Sequence, residues 1–423
     1  MPTADVLADL DARGLVHLST DRDALAARLA EGPVTAYYGC DPTADSLHLG
    51  NLIGLLILRR LQDAGHTVIG LAGGATGMIG DPSGRSDERN LLDQATLDAN
   101  VAAIKAQIAR IVDPDGSHGT LFVDNWDWTS DLTLVDFLRD VGKHVTVNQM
   151  IARDSVRNRL ESEQGISYTE FSYMLLQAHD YLRLHDDHGC ELQIGGSDQW
   201  GNIVSGVDLV RRARGRTVHA LCWPLMTAAD GTKLGKSTGA RTWLAAERTS
   251  PYQLFQHLMQ IDDAALEQHL KWFTLLPVAE IATLLDAHEV DPSARPAHRR
   301  LAWEVTAIVH GSAAADAAQG ATDVLFGGDP TVAPPEALAA VADEVPSVSA
   351  QAGDLPTLSA ALREAGVATS ASDARRALDQ GGVYLNGTRQ SDDRALAADD
   401  LLHGRYALLR KGKKGYAMVV AAP

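Results

Sequence analysis

The sequence predicts an α/β fold built on a parallel sheet with a helical insertion, followed by an all-α domain and a small α+β domain. Three observations carry this. Residues 34 to 72 read as strand, helix, strand, a βαβ unit whose crossover is right-handed. A third strand, turn and helix follows at CELQIGGSDQWGN (190 to 202), with a fourth strand at TVHALCWPLM (217 to 226). From Ser250 to about residue 326 the apolar residues keep helical spacing. In such a sheet a ligand is expected outside the carboxyl ends of the strands.

Residues 1 to 31 hold two helical segments, Val6 to Leu10 and Asp23 to Leu29, leading into the stretch VTAYYGCDPTADSLHLGNLIG at 34 to 54. The β-prone run from Val34 to Tyr38 stops at Gly39. Asp41-Pro42-Thr43 then makes a turn, because proline fixes its own φ and biases the residue before it toward extended backbone. After Ser46 the period changes, with Leu52, Leu55, Leu56 and Arg59 at helical spacing. His48 and Asn51, three apart, share a face of the helix's first turn, where unpaired backbone N–H groups and the helix dipole suit a phosphate. Taken alone, His48 reads more simply as a capping or surface histidine.

The chain has 423 residues, which implies two or three domains, and a formal net charge of -18, which repels nucleic acid at long range. Any nucleic-acid contact must therefore rest on a local basic patch. Cys40, Cys190 and Cys222 form no Cys-x-x-Cys pair and argue against a zinc ribbon or a disulfide framework. An acidic, amphipathic start and the lack of a spanning apolar run place the protein in the cytoplasm, with no membrane partner.

A second extended run, Thr67 to Ala72, leads into GLAGGATGMIGDPSGRSDER. Its many glycines suit backbone passing close to a ligand, although no Walker pattern or strict Rossmann fingerprint is present. Asp81 could hold an ammonium there, and Arg85 and Arg89 could present one cationic face; a surface loop with internal ion pairs is the plainer alternative. Residues 91 to 165 read as a mainly helical insertion interrupted by FVDNWDW. Leu134, Phe137, Leu138 and Val141 form an amphipathic face suited to internal packing or to a subunit contact. In TEFSYMLLQAHDYLRL (169 to 184), Tyr173, Gln177 and Asp180 share the side opposite the apolar stripe: a phenol, an amide and a carboxylate, which suits a small polar pocket or a partly buried face. His185, Asp186, Asp187, His188 and Cys190 match no standard metal spacing, and no protein-bound metal is expected.

Gly195-Gly196 end the third strand, with Asp198-Gln199 at the following helix start. After the fourth strand, ADGTKLGKSTG places Lys233 and Lys236 in a glycine-rich loop suited to closing over phosphates. Ser250-Pro251 then starts a helix. The Pro-, Gly- and Ala-rich residues 327 to 354 read as a linker with one short helix. From Thr357 come two helices ended by Gly366 and Gly381-Gly382, a strand turning at Asn386-Gly387, and two late strands around RYALLRKGKKGY (405 to 416). Arg405, Arg410, Lys411, Lys413 and Lys414 lie in that segment with no acid among them. The expected domains are 1–245, 246–326, the linker 327–354, and 355–423.

Together these segments resemble the class I aminoacyl-tRNA synthetases, and closely the bacterial tyrosyl family within them. HLGN at 48 to 51 resembles the His-Ile-Gly-His signature, and KLGKS at 233 to 237 resembles Lys-Met-Ser-Lys-Ser. YYGCDPTADSLHLGN, GGATGMIGDPSGR, TEFSYMLLQAHD and QIGGSDQWGN resemble that family's segments in the same order, over essentially the whole chain. The resemblance implies a Rossmann-like catalytic domain and a C-terminal RNA-binding module of the α-L type. It also implies ATP with Mg2+, tyrosine, tRNA(Tyr) and a homodimer.

The implied reaction joins the tyrosine carboxylate to the α-phosphate of ATP, releases pyrophosphate, and passes the tyrosyl group to the 3′ end of tRNA. By this resemblance, Thr43 and His48 contact the departing phosphates and Asn51 lies nearer the ribose. Lys233, Lys236, Arg85 and Arg89 stabilise the charge that develops on pyrophosphate. Tyr173, Gln177 and Asp81 bind the substrate ammonium, while Tyr37 and Asp180 hydrogen-bond its phenolic hydroxyl. Gly39, Asp41, Gly50, Gly196, Asp198 and Gln199 complete the adenylate site, and Arg405, Arg410, Lys411, Lys413 and Lys414 contact RNA. The signature's second histidine is Asn51 here, and its Met and Ser are Leu234 and Gly235. The competing readings are a tryptophanyl enzyme, an RNA-binding relative without activation chemistry, and a small-molecule nucleotidyltransferase. The Tyr37 and Asp180 pair, the retained phosphate ligands and the C-terminal module speak against them respectively.

Overall fold

The computed structural model describes residues 5–83, 92–113, 119–161, 165–226 and 241–422. The chain divides into two compact units, Met1–Arg248 with Asp262–Ala297, and Thr249–Ile261 with His298–Pro423. No helix among the described residues is long and apolar enough to cross a membrane.

The first unit is built on six strands: β1 (Leu18–Ser19), β2 (Thr35–Cys40), β3 (Thr67–Ala72), β4 (Thr120–Asp124), β5 (Cys190–Gly196) and β6 (His219–Trp223). Their order is β1-β6-β5-β2-β3-β4; β1 runs antiparallel to β6 and every other neighbouring pair is parallel. The four strands expected from hydrophobic runs form the middle of the sheet. Their runs are nearly continuous because helices cover both faces. The two outer strands were not expected. β1 is only two residues long, and β4 runs into the start of FVDNWDW, in a span expected to be a helical insertion. Pairing of Gly70 with Phe122 and Ala72 with Asp124 makes that segment an edge strand.

The helix Leu49–Asp63 buries Leu52, Leu55, Leu56 and Leu58, so it packs almost all round. The helix Tyr168–His188 ends at Gly189, whose φ of 62° is the left-handed conformation that glycine takes without strain. Leu134 and Leu138, expected on an amphipathic face, lie on short helical turns (Leu134–Asp136 and Phe137–Val141) and are 71% and 47% exposed; only Val141 of that set is buried.

Two expected boundaries differ from the observed ones. Residues 246–326 do not form one helical domain, because the helix Asp263–Phe273 and the residues after it belong to the first unit. Arg13 donates to the carbonyls of Lys271 (3.1 Å) and Leu276 (2.8 Å), and Arg60 donates to that of Thr274. Trp272 Nε1 in turn donates to the Arg13 carbonyl at 3.0 Å. The orphan carbonyls at that helix end are thus satisfied by guanidinium groups far away in sequence.

Residues 327–354 are also not a linker. They contain the one short helix expected there, Pro335–Glu344, and beyond it a strand that was not expected, β7 (Ser347–Gln351). Proline at both Pro334 and Pro335 suits a helix start, which is why the composition misleads. β7 pairs in parallel with β11 (Gly415–Ala422), and the sheet continues through β10 (Tyr406–Lys411), β8 (Val383–Leu385) and β9 (Thr388–Gln390) in the order β7-β11-β10-β8-β9. One face packs on the helices Leu358–Glu364 and Ala371–Asp379, and the other receives Ala337, Leu338 and Val341 against Tyr406, Leu408 and Met418. Asn386 and Gly387, with φ of 48° and 82°, make the β8–β9 turn expected of Asn-Gly.

Candidate active site

The parallel register sets Cys40 beside Ala72 and Ala72 beside Asp124, so Asp41, Gly73 and Asn125 leave the sheet together at its carboxyl edge. A hydrogen-bonded chain links these strand ends to the helix Tyr168–His188. Tyr173 donates its hydroxyl to Asp41 Oδ2 at 2.9 Å, and Thr76 Oγ1 donates to Asp41 Oδ1 at 2.8 Å. Asn125 Nδ2 donates to Thr76 Oγ1 (3.0 Å) and to Asp180 Oδ2 (2.9 Å), while Trp128 Nε1 donates to Asp180 Oδ1 (2.9 Å). Gly73 permits this, since a Cβ there would lie 2.4 Å from Asp41 Oδ1 and 2.3 Å from Thr76 Oγ1.

Burial pushes the Asp180 carboxyl up to about 7; the bonds from Asn125 and Trp128 oppose the shift, and the negative charges of Asp41 and Asp124 add to it. Tyr37, on β2, packs edge-on against Tyr181 at 5.3 Å and is held neutral by burial and by the nearby Asp180 charge. Its hydroxyl, Gln177 Oε1 and Gln193 Oε1 are buried without a hydrogen-bond partner. Gln193 stands beside Tyr37 in the sheet. Buried polar atoms are paired in all but a few cases, so this cluster suits a polar ligand that supplies the missing partners. If a ligand hydroxyl donates to the Asp180 carboxylate, its affinity should rise with pH. The expected gain is about tenfold from about pH 6 to about pH 8, following the ionised fraction of a group near 7. Equilibrium binding of a phenol-bearing amino acid across that range measures this, and a flat profile contradicts it.

Asp81 lies in a second cluster. Gln199 Nε2 donates to Asp81 Oδ2 at 2.6 Å, Asn202 Nδ2 to Oδ1 at 3.4 Å, and the Ser83 N–H to Oδ1 at 2.9 Å. The structure thus joins Asp81 to Gln199, whereas the expectation assigned the first to an ammonium and the second to the adenylate. Gly196 leaves room for Asp198, because a Cβ there would sit 2.8 Å from Asp198 Oδ1.

At the start of the helix Leu49–Asp63, His48 is the N-cap: its Nδ1 accepts the Gly50 N–H at 3.1 Å, and Asn51 Oδ1 accepts the His48 N–H at 3.1 Å. His48 is therefore a cap, as its simpler reading has it. The bond to Nδ1 places the neutral ring's proton on Nε2. Burial, then the positive Arg241, lower the ring's pKa to about 4, so it is an uncharged donor at neutral pH. Leu49 N–H donates to the Thr242 carbonyl and Leu244 N–H to that of Leu47, which lays residues 242–244 along this turn. Thr43 is exposed, with its N–H on the Asp41 carbonyl, and Gly39 is exposed on β2.

Arg85, Arg89, Lys233 and Lys236 lie outside the described residues. Thr76, Asn125, Trp128 and Gln193 were missed. Asn125 and Trp128 stand in the aromatic stretch that interrupts the insertion, but no local signal ties them to Asp180, more than fifty positions on.

In the second unit, Arg410 stacks 4.1 Å above the Tyr384 ring and Arg405 lies 5.4 Å from that of Tyr406. Lys413 and Lys414 are exposed at the β10–β11 turn. Lys411 differs from the expectation. Its ammonium is bound to Asp373 Oδ2 at 2.5 Å and is used within the fold.

Two family models match the chain in succession. A family model described as "tRNA synthetases class I (W and Y)" matches residues 29–327, and one described as "Tyrosine--tRNA ligase SYY-like C-terminal domain" matches residues 337–419. A tyrosine–tRNA ligase of Mycobacterium leprae is 49% identical over 98% of this chain and 99% of its own length. One of Roseiflexus castenholzii is 47% identical over 98% of this chain and 99% of its own. The crystal structure of a C-terminally truncated mitochondrial tyrosyl-tRNA synthetase from Aspergillus nidulans superimposes with a TM-score of 0.69 at 32% identity, covering 76% of this chain and 94% of that one.

Proposed function

The chain belongs to the class I tRNA synthetases (W and Y), and from that premise we infer that it is a tyrosine–tRNA ligase. The single observation that carries the choice of amino acid is the buried Tyr37 hydroxyl without a partner, beside a carboxylate already oriented by Asn125 and Trp128. A phenol entering there supplies the Tyr37 partner and donates to Asp180. Gln177 and Asp41, with Tyr173, then face the amino-acid end, and Asp81 acts on the ammonium through the cluster it forms with Gln199.

The tyrosine carboxylate attacks the α-phosphorus of ATP, which arrives with its magnesium ion; the bond to the bridging oxygen breaks and pyrophosphate leaves. The nucleophile belongs to the substrate, so the protein supplies positioning and charge stabilisation only. His48, neutral with its proton on Nε2, donates to a phosphate oxygen without changing the site's charge. Asn51, Asp198, Gly50 and Gly196 hold the ribose side, and Thr43 stands by the phosphates. The cations for pyrophosphate are Arg85, Arg89, Lys233 and Lys236. Lys233→Ala and Lys236→Ala are each expected to slow activation by about 10²-fold with tyrosine affinity unchanged. Pre-steady-state adenylate formation reads this, and an unaltered rate removes the loop from the mechanism.

The RNA contact falls to Arg405, Arg410, Lys413 and Lys414, and exposed Leu134, Val135, Leu138, Val147 and Ile151 support a homodimer; the bacterial ligases that the chain resembles suit a place in the cytoplasm. Exchange of pyrophosphate into ATP, with tyrosine, phenylalanine and tryptophan supplied separately, tests the reading. Exchange with tyrosine alone is expected; exchange with tryptophan or with none of the three overturns it.

A further inference from the structure

We propose that Tyr38 is a positioning residue for the nucleotide half of the reaction, acting by holding the Asn51 amide; this rests on the ligase reading above. Successive side chains of a strand point to opposite faces. Tyr37 therefore serves the amino-acid side, and Tyr38 turns toward the helix Leu49–Asp63. There Asn51 Nδ2 donates to the Tyr38 hydroxyl at 3.4 Å, while Asn51 Oδ1 accepts the His48 N–H at 3.1 Å. The amide is thus held at both ends. Long bonds of this kind in an unliganded site tighten when substrate binds.

The Tyr38 ring is itself lodged with care. It meets Trp223, at the end of β6, edge-on at 5.4 Å and 70°. Gly54, three residues after Asn51, makes room for both: a Cβ there would lie 2.6 Å from Tyr38 Cε1 and 2.7 Å from Trp223 Cη2. The hydroxyl also feels the Cys40 thiol and the Asp198 carboxylate, and Asp198 belongs to the proposed ribose side. A tyrosine needed only for packing gains nothing from this hydroxyl, which stands among nucleotide-facing groups. It also accounts for asparagine at position 51, whose short amide can be pinned at both ends.

The test measures pyrophosphate exchange on the full-length chain for Tyr38→Phe, Asn51→Ala and the double variant, with separate KM values for ATP and tyrosine. Tyr38→Phe keeps the ring and its packing. It is expected to reduce kcat/KM for ATP by about 5- to 20-fold with the tyrosine KM within about twofold and the thermal midpoint unchanged. The double variant should be no worse than Asn51→Ala alone, because one interaction is removed only once. Gly54→Ala, which pushes on the ring, should give the same ATP-side loss. Unchanged constants for Tyr38→Phe, effects that multiply in the double variant, or an equal rise in the tyrosine KM would each overturn the proposal. A wild type that exchanges with no amino acid overturns the ligase reading, and the proposal with it; an active wild type with a silent Tyr38→Phe overturns the proposal alone.

Discussion

Asp180→Ala is expected to lower kcat/KM for tyrosine in pyrophosphate exchange by about 10²-fold or more while changing that for phenylalanine far less. The substitution removes the acceptor for the substrate hydroxyl and leaves Asn125 and Trp128 with donors aimed at an empty position. Sites built to hydrogen-bond a substrate hydroxyl reject the analogue lacking it by about 10⁴- to 10⁵-fold, a magnitude measured on tyrosine enzymes of this class and taken over as such. Phenylalanine leaves the Tyr37 hydroxyl without a partner and the buried Asp180 carboxylate short of the donor that a substrate hydroxyl supplies; without Asp180 much of that penalty disappears. The ATP KM should stay near the wild-type value, since Asp180 is joined to Asp41 and Thr76 but not to the His48 turn. Equal losses for both amino acids, or a matching loss in ATP binding, would remove the hydroxyl-reading role.

The second large effect concerns the C-terminal unit. Deleting residues 355–423 is expected to leave exchange within about twofold and to lower tRNA charging by at least about 10²-fold, because it takes away every cation of the basic segment. The cut has a side effect that follows from the observed fold. It leaves β7 without β11 and uncovers Ala337, Leu338, Val341 and Val348, so the truncated chain should scatter light at concentrations where the full chain does not. Lys413→Ala with Lys414→Ala avoids that difficulty. This pair should weaken tRNA binding and lower the slope of log affinity against log salt by about 2, one for each phosphate no longer neutralised. Charging that survives both changes refutes the RNA role of this segment.

The central strands and the helix Leu49–Asp63 were legible in the sequence because a buried parallel sheet writes itself as short apolar runs ending in glycine. The side-by-side arrangement of Tyr173, Gln177 and Asp180 was legible too, since helical spacing alone places them together. What those groups touch was not. Asp41 meets Tyr173 across more than a hundred residues, and Asp180 meets Trp128 through a turn that only the β4 pairing fixes. The region 327–354 was misjudged because alanine and proline signal a flexible tether in isolation, whereas Leu338 and Val341 acquire a use only when β10 and β11 lie against them. The fate of Lys411 depended likewise on Asp373, a partner from a helix that sequence spacing could not bring near.

The strand order β7-β11-β10-β8-β9 bears on how the protein is made. β11 stands between β7 and β10 although it is the last of the five to be translated. During elongation at about 5 to 20 residues per second, the helix Pro335–Glu344 and β7 emerge several seconds before the strand that completes their sheet. Nascent chains stalled before Gly415 should therefore be sensitive to protease from about residue 335 onward and should attract chaperones, while the sheet of the first unit is already protected. A premature stop at position 415, which removes β11, should then be as damaging to the second unit as a stop far upstream.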